Sequence, residues 1–131
     1  MAAQIISGTE ISKQIQAELK DEVAQLKTKG VNPGLATILV GEDEASKVYV
    51  GQKLKTCEKL GITSFHHKLP PDTKEPELLK LVDQLNKDPN VHGILCQLPL
   101  PKGLNADKIL LAISPEKDVD GFHLLNMGKL L

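Results

Sequence analysis

The sequence predicts an α/β fold, a three-layer αβα domain with a mainly parallel sheet, and three observations predict it. Short apolar runs alternate with helical periodicity along the whole chain, the rhythm of right-handed βαβ crossovers. The run Leu35-Ala-Thr-Ile-Leu-Val40 is apolar enough to be covered on both faces, as strands of parallel sheets are. Residues that start and stop helices stand where the alternation needs them.

In chain order, Ser7-Gly8-Thr9-Glu10 reads as a capping box. Ile11, Ile15, Leu19, Val23 and Leu26 then hold one face of a long amphipathic helix that runs to Gly30. Val31-Asn-Pro-Gly34 turns the chain into the strand Leu35–Val40. The central helix opens after Gly41, with Asp43 as N-cap and Glu42 and Glu44 beside it at the positive end. Gly61 ends it in a position suited to a left-handed C-cap. Val50, Leu54 and Cys57 recur at core-facing spacing, and Ser46, Tyr49 and Lys53 form a second stripe one residue round.

Ile62–Leu69 mixes polar with apolar residues, as an edge strand does. Pro70-Pro71-Asp72-Thr73 breaks the chain, and Pro76 suits the first turn of the next helix. Leu78, Leu79, Val82 and Leu85 make that helix's buried face. Asp88-Pro-Asn90 leads into an apolar strand over Val91–Leu98. A short helix capped by Asn105 runs to Ile113, and the tail is loop followed by a helical turn. No repeat, low-complexity segment or internal linker interrupts the series.

Composition narrows the function classes. The 131 residues are 40% hydrophobic and 25% charged with a net charge of −1, which suits one globular domain with one core. Near-neutrality and 2% aromatic content argue against a nucleic-acid surface. No apolar run approaches the roughly 20 residues of a membrane helix, and MAAQIISG lacks the parts of a secretory signal. A cytoplasmic location is the expectation. Cys57 and Cys96 read as buried small hydrophobes in a reducing compartment rather than a disulfide. His66, His67 and His92 are scattered and read as structural.

Three constellations can carry chemistry. Tyr49, the only tyrosine, and Lys53 are four apart, so they share a helix face. That face leans toward the carboxyl end of the preceding strand, where open α/β sheets bind ligands. An ordinary solvated face would look the same by spacing alone. Gln97 ends an apolar run just before two prolines; a buried amide there needs partners, which a turn backbone or a ligand can supply. Asp118-Val-Asp120-Gly121 can bind a metal, cap a helix or accept hydrogen bonds from a ligand, although a metal lacks a third ligand nearby. A Tyr-x-x-x-Lys pair also occurs in short-chain dehydrogenases, but their glycine-rich nucleotide loop is missing. A receiver domain would need an aspartate where this strand ends in Gln97.

Three segments in this order and spacing, VGEDEASKVYVGQKLKTCEKLGI, GILCQLPLP and PEKDVDGF, resemble the methylenetetrahydrofolate dehydrogenase/cyclohydrolase family over essentially the whole chain. The resemblance implies that residues 1–131 are the family's N-terminal folate-binding, catalytic domain, of the amino-acid-dehydrogenase-like type. The C-terminal NAD(P)-binding Rossmann domain would begin after about Leu131 and is not in this sequence, whose apolar end looks like an interruption. It implies an enzyme that oxidises 5,10-methylenetetrahydrofolate to the methenyl form with NAD or NADP, and hydrolyses that to 10-formyltetrahydrofolate. NADP or NAD belongs to the two-domain enzyme and is not expected to bind these residues. No metal is implied, tetrahydrofolate derivatives are the ligands, and the full-length enzyme is expected to be a homodimer. A catalytically inactive folate-binding or interaction module is the alternative.

By the same resemblance, Lys53 is the catalytic lysine, Tyr49 packs on the folate rings, and Gln97 orients Lys53. Asp120 grips the amino edge of the pterin, and Cys96 and Leu98 flank the substrate. Glu44, Cys96 and Lys129 stand where proline, valine and arginine are common. The chemistry agrees with these roles. The methenyl intermediate is a cation, so an ammonium beside it is repelled, and a lysine there works best as a neutral base. A carboxylate in its place would stabilise the cationic ground state and gain no rate. An amide partner orients the amine without fixing a charge on it.

Overall fold

The computed structural model describes residues 2–131. Its elements are α1 (Gly8–Thr28), β1 (Gly34–Val40), α2 (Glu44–Leu60), β2 (Thr63–Leu69), α3 (Glu75–Lys87), β3 (Gly93–Cys96), α4 (Ala106–Ala112) and α5 (Leu124–Lys129). The sheet order is β2-β1-β3 and both pairings are parallel. β1 therefore lies between two strands, and all of it but the half-buried Leu35 is buried. It runs in register with β2 from Gly34↔Thr63 to Val40↔Leu69, and with β3 from Leu35↔Gly93 to Ile38↔Cys96. β2, with one free edge, alternates exposed and half-buried residues.

Helices cover both faces. Ala36, Ile38, Val40, Ile94 and Cys96 form one core with Leu78, Val82 and Leu85 of α3 and Ile109 of α4. Alternation along the strands sends Thr37, Leu39 and Leu95 to the other face, where Val50, Cys57 and Leu60 of α2 and Val23 of α1 are also buried. The predicted three-layer arrangement is present. Ser7, Asp43 and Asn105 each cap a helix by accepting a backbone N–H. Gly61 takes the left-handed conformation at the end of α2.

Two elements depart from expectation. Of the α1 stripe only Val23 is buried, while Ile11, Ile15, Leu19 and Leu26 are 44%, 48%, 38% and 38% exposed. Periodicity marks which face of a helix is apolar, not how much of its length the body covers. α1 is about 31 Å long, and Val23 meets the body beside Gly61 at the end of α2. Leu54 is likewise only half-buried. The strand expected over Val91–Leu98 is confined to Gly93–Cys96. Its pairing is bracketed by His92 N donating to Gly34 O and Gln97 N donating to Ile38 O, both at 2.9 Å. Beyond that, Pro99 and Pro101 have no N–H to continue a ladder.

The tail is drawn back to the far edge of β3. Ile94 N donates to Lys117 O at 2.7 Å, and Ile94 and Asp118 form an isolated parallel bridge. Gly93 allows this: a Cβ there would come within 2.6 Å of Val119 Cγ1. Lys117 Nζ donates to Leu85 O and Asp88 O, supplying a cation to the carbonyls that end α3. The Asp118–Asp120 loop is thereby carried to the same side of the sheet edge as Gln97.

Candidate active site

The site is assembled where β1 and β3 end and α2 begins. Gly41, at φ +91, turns the chain out of β1. Asp43 then accepts from Ser46 N at 2.8 Å. That backbone amide, reinforced by the Ser46 side chain, holds the Asp43 carboxyl below its usual range. With the helix start fixed, Ser46, Tyr49 and Lys53 follow on one face, but into three different environments. Ser46 is 1% exposed, Tyr49 is 56% exposed and Lys53 is half-buried.

Lys53 Nζ donates to Gln97 Oε1 at 2.9 Å, across 44 residues of sequence. Gln97 reaches it because Leu95 and Gln97 lie on the α2 side of the sheet, opposite Ile94 and Cys96. The other end of the same amide donates from Nε2 to Leu98 O at 3.1 Å. Ser46 Oγ donates to that carbonyl too, at 3.3 Å. A turn carbonyl thus satisfies one half of the Gln97 amide, and the Lys53 side chain, which neither open alternative named, satisfies the other.

The two aspartates separate cleanly. Asp118 accepts from His123 N at 2.9 Å and from Asn126 Nδ2 at 3.0 Å. Burial pushes its carboxyl up, but Asn126 and the N–H groups of His123, Phe122 and Gly121 together hold it below the usual range. Asp118 is a fastener of the tail. Among the described residues no side-chain hydrogen bond engages Asp120, whose side chain reaches solvent. The protein bulk beside it nevertheless pushes its carboxyl up, the Lys53 charge pulls it down and Asp118 pushes it up again. Asp120 therefore lies within electrostatic reach of Lys53, and no side-chain hydrogen bond among the described residues occupies its oxygens.

Cys96 is 2% exposed and belongs to the α3/α4 core. Burial, and then the negative charge of Asp120, push its thiol up to about 12, so it stays protonated and inert. It lies beneath the site rather than on its surface. Leu98 is half-buried and offers the site its carbonyl. Among the described residues no group of three or more His, Cys, Asp or Glu side chains is placed to hold a metal. His66 Nδ1 lies 2.9 Å from the Thr37 hydroxyl, and His92 Nδ1 accepts from Gly34 N at 3.0 Å; both are tied into the sheet.

The structure brings Tyr49, Lys53, Gln97 and Asp120 to one edge, from a helix, a strand end and a returning loop. Sequence reading passed over the Leu98 carbonyl, which no side-chain pattern can reveal. It placed Ser46 in the stripe but assigned it nothing. The available signal was a hydroxyl among the buried positions of a helix, where a polar group needs a partner.

Known proteins include relatives of this chain along its whole length. Residues 6–120 match the model of the tetrahydrofolate dehydrogenase/cyclohydrolase catalytic domain. The bifunctional protein FolD of Geotalea daltonii is 57% identical over 129 residues, covering 98% of this chain and 46% of the relative. That of Moorella thermoacetica is 56% identical over 131 residues, 100% of this chain and 47% of the relative. Among solved structures, the Campylobacter jejuni FolD methylenetetrahydrofolate dehydrogenase/cyclohydrolase superposes with a TM-score of 0.96 at 46% identity, covering 98% of this chain and 46% of that one. The Trypanosoma brucei enzyme, solved with NADP cofactor and an inhibitor, gives 0.92 at 38% identity, covering 99% and 45%. The chain spans about half the length of the relatives it matches. With the family model matching most of its residues, the chain belongs to the tetrahydrofolate dehydrogenase/cyclohydrolase family, in its catalytic domain.

Proposed function

We propose that this chain carries the folate half of a methylenetetrahydrofolate dehydrogenase and the hydrolytic residues of a methenyltetrahydrofolate cyclohydrolase. The observation that carries the proposal is the 2.9 Å bond from Lys53 to Gln97 Oε1, with Tyr49 one turn away along α2. Tyr49 offers a largely exposed ring for the folate to pack on. Asp120 accepts two parallel N–H bonds from the amino edge of the pterin. Lys53, held by Gln97, serves the bridging carbon.

In hydrolysis, Lys53 in its base form takes a proton from water as the oxygen bonds to the methenyl carbon, discharging the cation. The resulting ammonium returns that proton to N5 as the carbon–N5 bond breaks. The new hydroxyl loses its proton to solvent, and the formyl group remains on N10. Gln97 accepts an N–H from Lys53 throughout, so the lysine lone pair points elsewhere.

The dehydrogenase reaction also requires NAD or NADP, which supplies the hydride acceptor. These residues do not fit a dinucleotide. A pyrophosphate needs a glycine-rich turn opening a helix, whereas α2 opens with Glu42, Asp43 and Glu44, and the Asp43 carboxylate already occupies the Ser46 amide. The turns before α3 and α4 are rich in proline instead. The nicotinamide site belongs to the part of the family's length that this chain does not span.

The test is titration of the isotope-labelled chain with 5,10-methenyltetrahydrofolate. Resonance shifts at Tyr49, Lys53, Gln97 and Asp120 are expected. Absence of binding, or shifts confined to another surface, would overturn the assignment.

A further inference from the structure

We propose that Ser46 is a positioning residue: through the Leu98 carbonyl it holds the Gln97 amide with its oxygen toward Lys53. The inference rests on the hydrolytic reading of Lys53 for its importance, but on geometry for its content. Ser46 is 1% exposed, and a hydroxyl so buried costs stability unless it is paired. Its side-chain donor is directed to Leu98 O at 3.3 Å. Leu98 O also accepts from Gln97 Nε2 at 3.1 Å.

A carbonyl oxygen can only accept, so whichever end of the Gln97 amide faces it must be the NH2 end. The other end, the oxygen, is then the one presented to Lys53, as observed. This orientation has a chemical consequence. A neutral lysine has two N–H donors and one lone pair. Facing an amide oxygen, it spends a donor and keeps the lone pair for water. Facing the NH2 end, it would accept that hydrogen bond with the lone pair and cease to be a base. Ser46 fixes the Leu98 carbonyl at the place where it selects the productive orientation. Asp43, by capping Ser46 N at 2.8 Å, fixes Ser46 in turn.

The experiment is side-chain amide NMR on the 131-residue chain and on Ser46→Ala and Ser46→Thr. In the parent chain the Gln97 NH2 protons are expected to exchange slowly and to show no contact with the Lys53 Cε protons. In Ser46→Ala, exchange is expected to quicken by about tenfold, the scale of one lost hydrogen bond, and contacts to Lys53 Cε to appear as the amide turns over. Ser46→Thr, which keeps the hydroxyl, is expected to restore the parent pattern. A backbone spectrum and melting temperature close to the parent's would show that the change is local. Unchanged Gln97 protons in Ser46→Ala would overturn the proposal, as would equal loss of order in both variants. This readout needs no folate. A chain that fails to bind folate yet passes it refutes the functional reading alone, and the reverse result refutes this inference alone.

Discussion

Lys53 and Gln97 are joined at 2.9 Å between the third turn of α2 and the end of β3. The contact spans two layers of the fold, so it forms only when helix and sheet are both in place. The site and the α2 side of the core are therefore built by the same packing.

Replacing Lys53 by Met should abolish methenyltetrahydrofolate hydrolysis in any form of this protein that performs it. The loss should reach the 10²–10⁴-fold, roughly, that a general base contributes. Lys53 is half-buried at an edge, so the fold should survive. The check is loss of substrate absorbance alongside a thermal melt; hydrolysis at the parent rate would remove Lys53 from the mechanism.

Asp120→Ala should weaken folate binding by about 1.5–3 kcal/mol, the scale of a charged hydrogen bond. Thermal stability should barely move, because no side-chain bond within the chain engages this carboxylate among the described residues. Calorimetry showing unchanged affinity together with a large stability loss would make Asp120 structural.

Asp118 should behave in the opposite way. Its folded carboxyl lies below the ordinary value. Its stabilising contribution is therefore complete above about pH 4, the unfolded value, and is lost as pH falls through the lower folded one. Asp118→Asn should cost about 1 kcal/mol near neutrality, a charged bond discounted for its partial exposure. Urea titrations of the two proteins should converge only once pH has fallen through the lowered folded value of Asp118, where both side chains are neutral. A difference independent of pH would contradict this account.

Gly34→Ala should destabilise by about 3 kcal/mol, at the upper end of ordinary overpacking. A Cβ there would overlap the Asn90 carbonyl oxygen and crowd Phe65 at 2.8 Å. The backbone cannot yield without disturbing the exchange of bonds between Gly34 and His92. Gly103→Ala meets nothing within 4 Å but sits at φ +95, so it should cost less. Chemical denaturation of the pair tests the ranking.

The 131-residue chain should bind folate weakly and hydrolyse it little, and calorimetry should show no saturable NAD or NADP binding. The expectation follows from an exposed Tyr49 and an open edge at Lys53, where water competes for the base. Hydrolysis well above buffer that depends on Lys53 would show the 131 residues to be a complete cyclohydrolase.

Sequence alone determined the order of elements, their caps and the layers. Those depend on local chemistry: Asp43 and Asn105 accept the amides next to them, Gly61 tolerates a positive φ, and apolar runs of strand length must be buried. It also brought Tyr49 and Lys53 together, since one helical turn separates them. Tertiary structure decided the rest. Periodicity gave α1 an apolar face but could not show that only Val23 is covered, because coverage depends on where distant elements end. Asp118 and Asp120 are indistinguishable as letters two residues apart. The way the tail folds on itself over residues 118–126 pairs one with His123 and Asn126, while no side-chain bond among the described residues engages the other. The acceptor that orients Gln97 is a backbone carbonyl, a group every residue possesses, so its role comes from position alone.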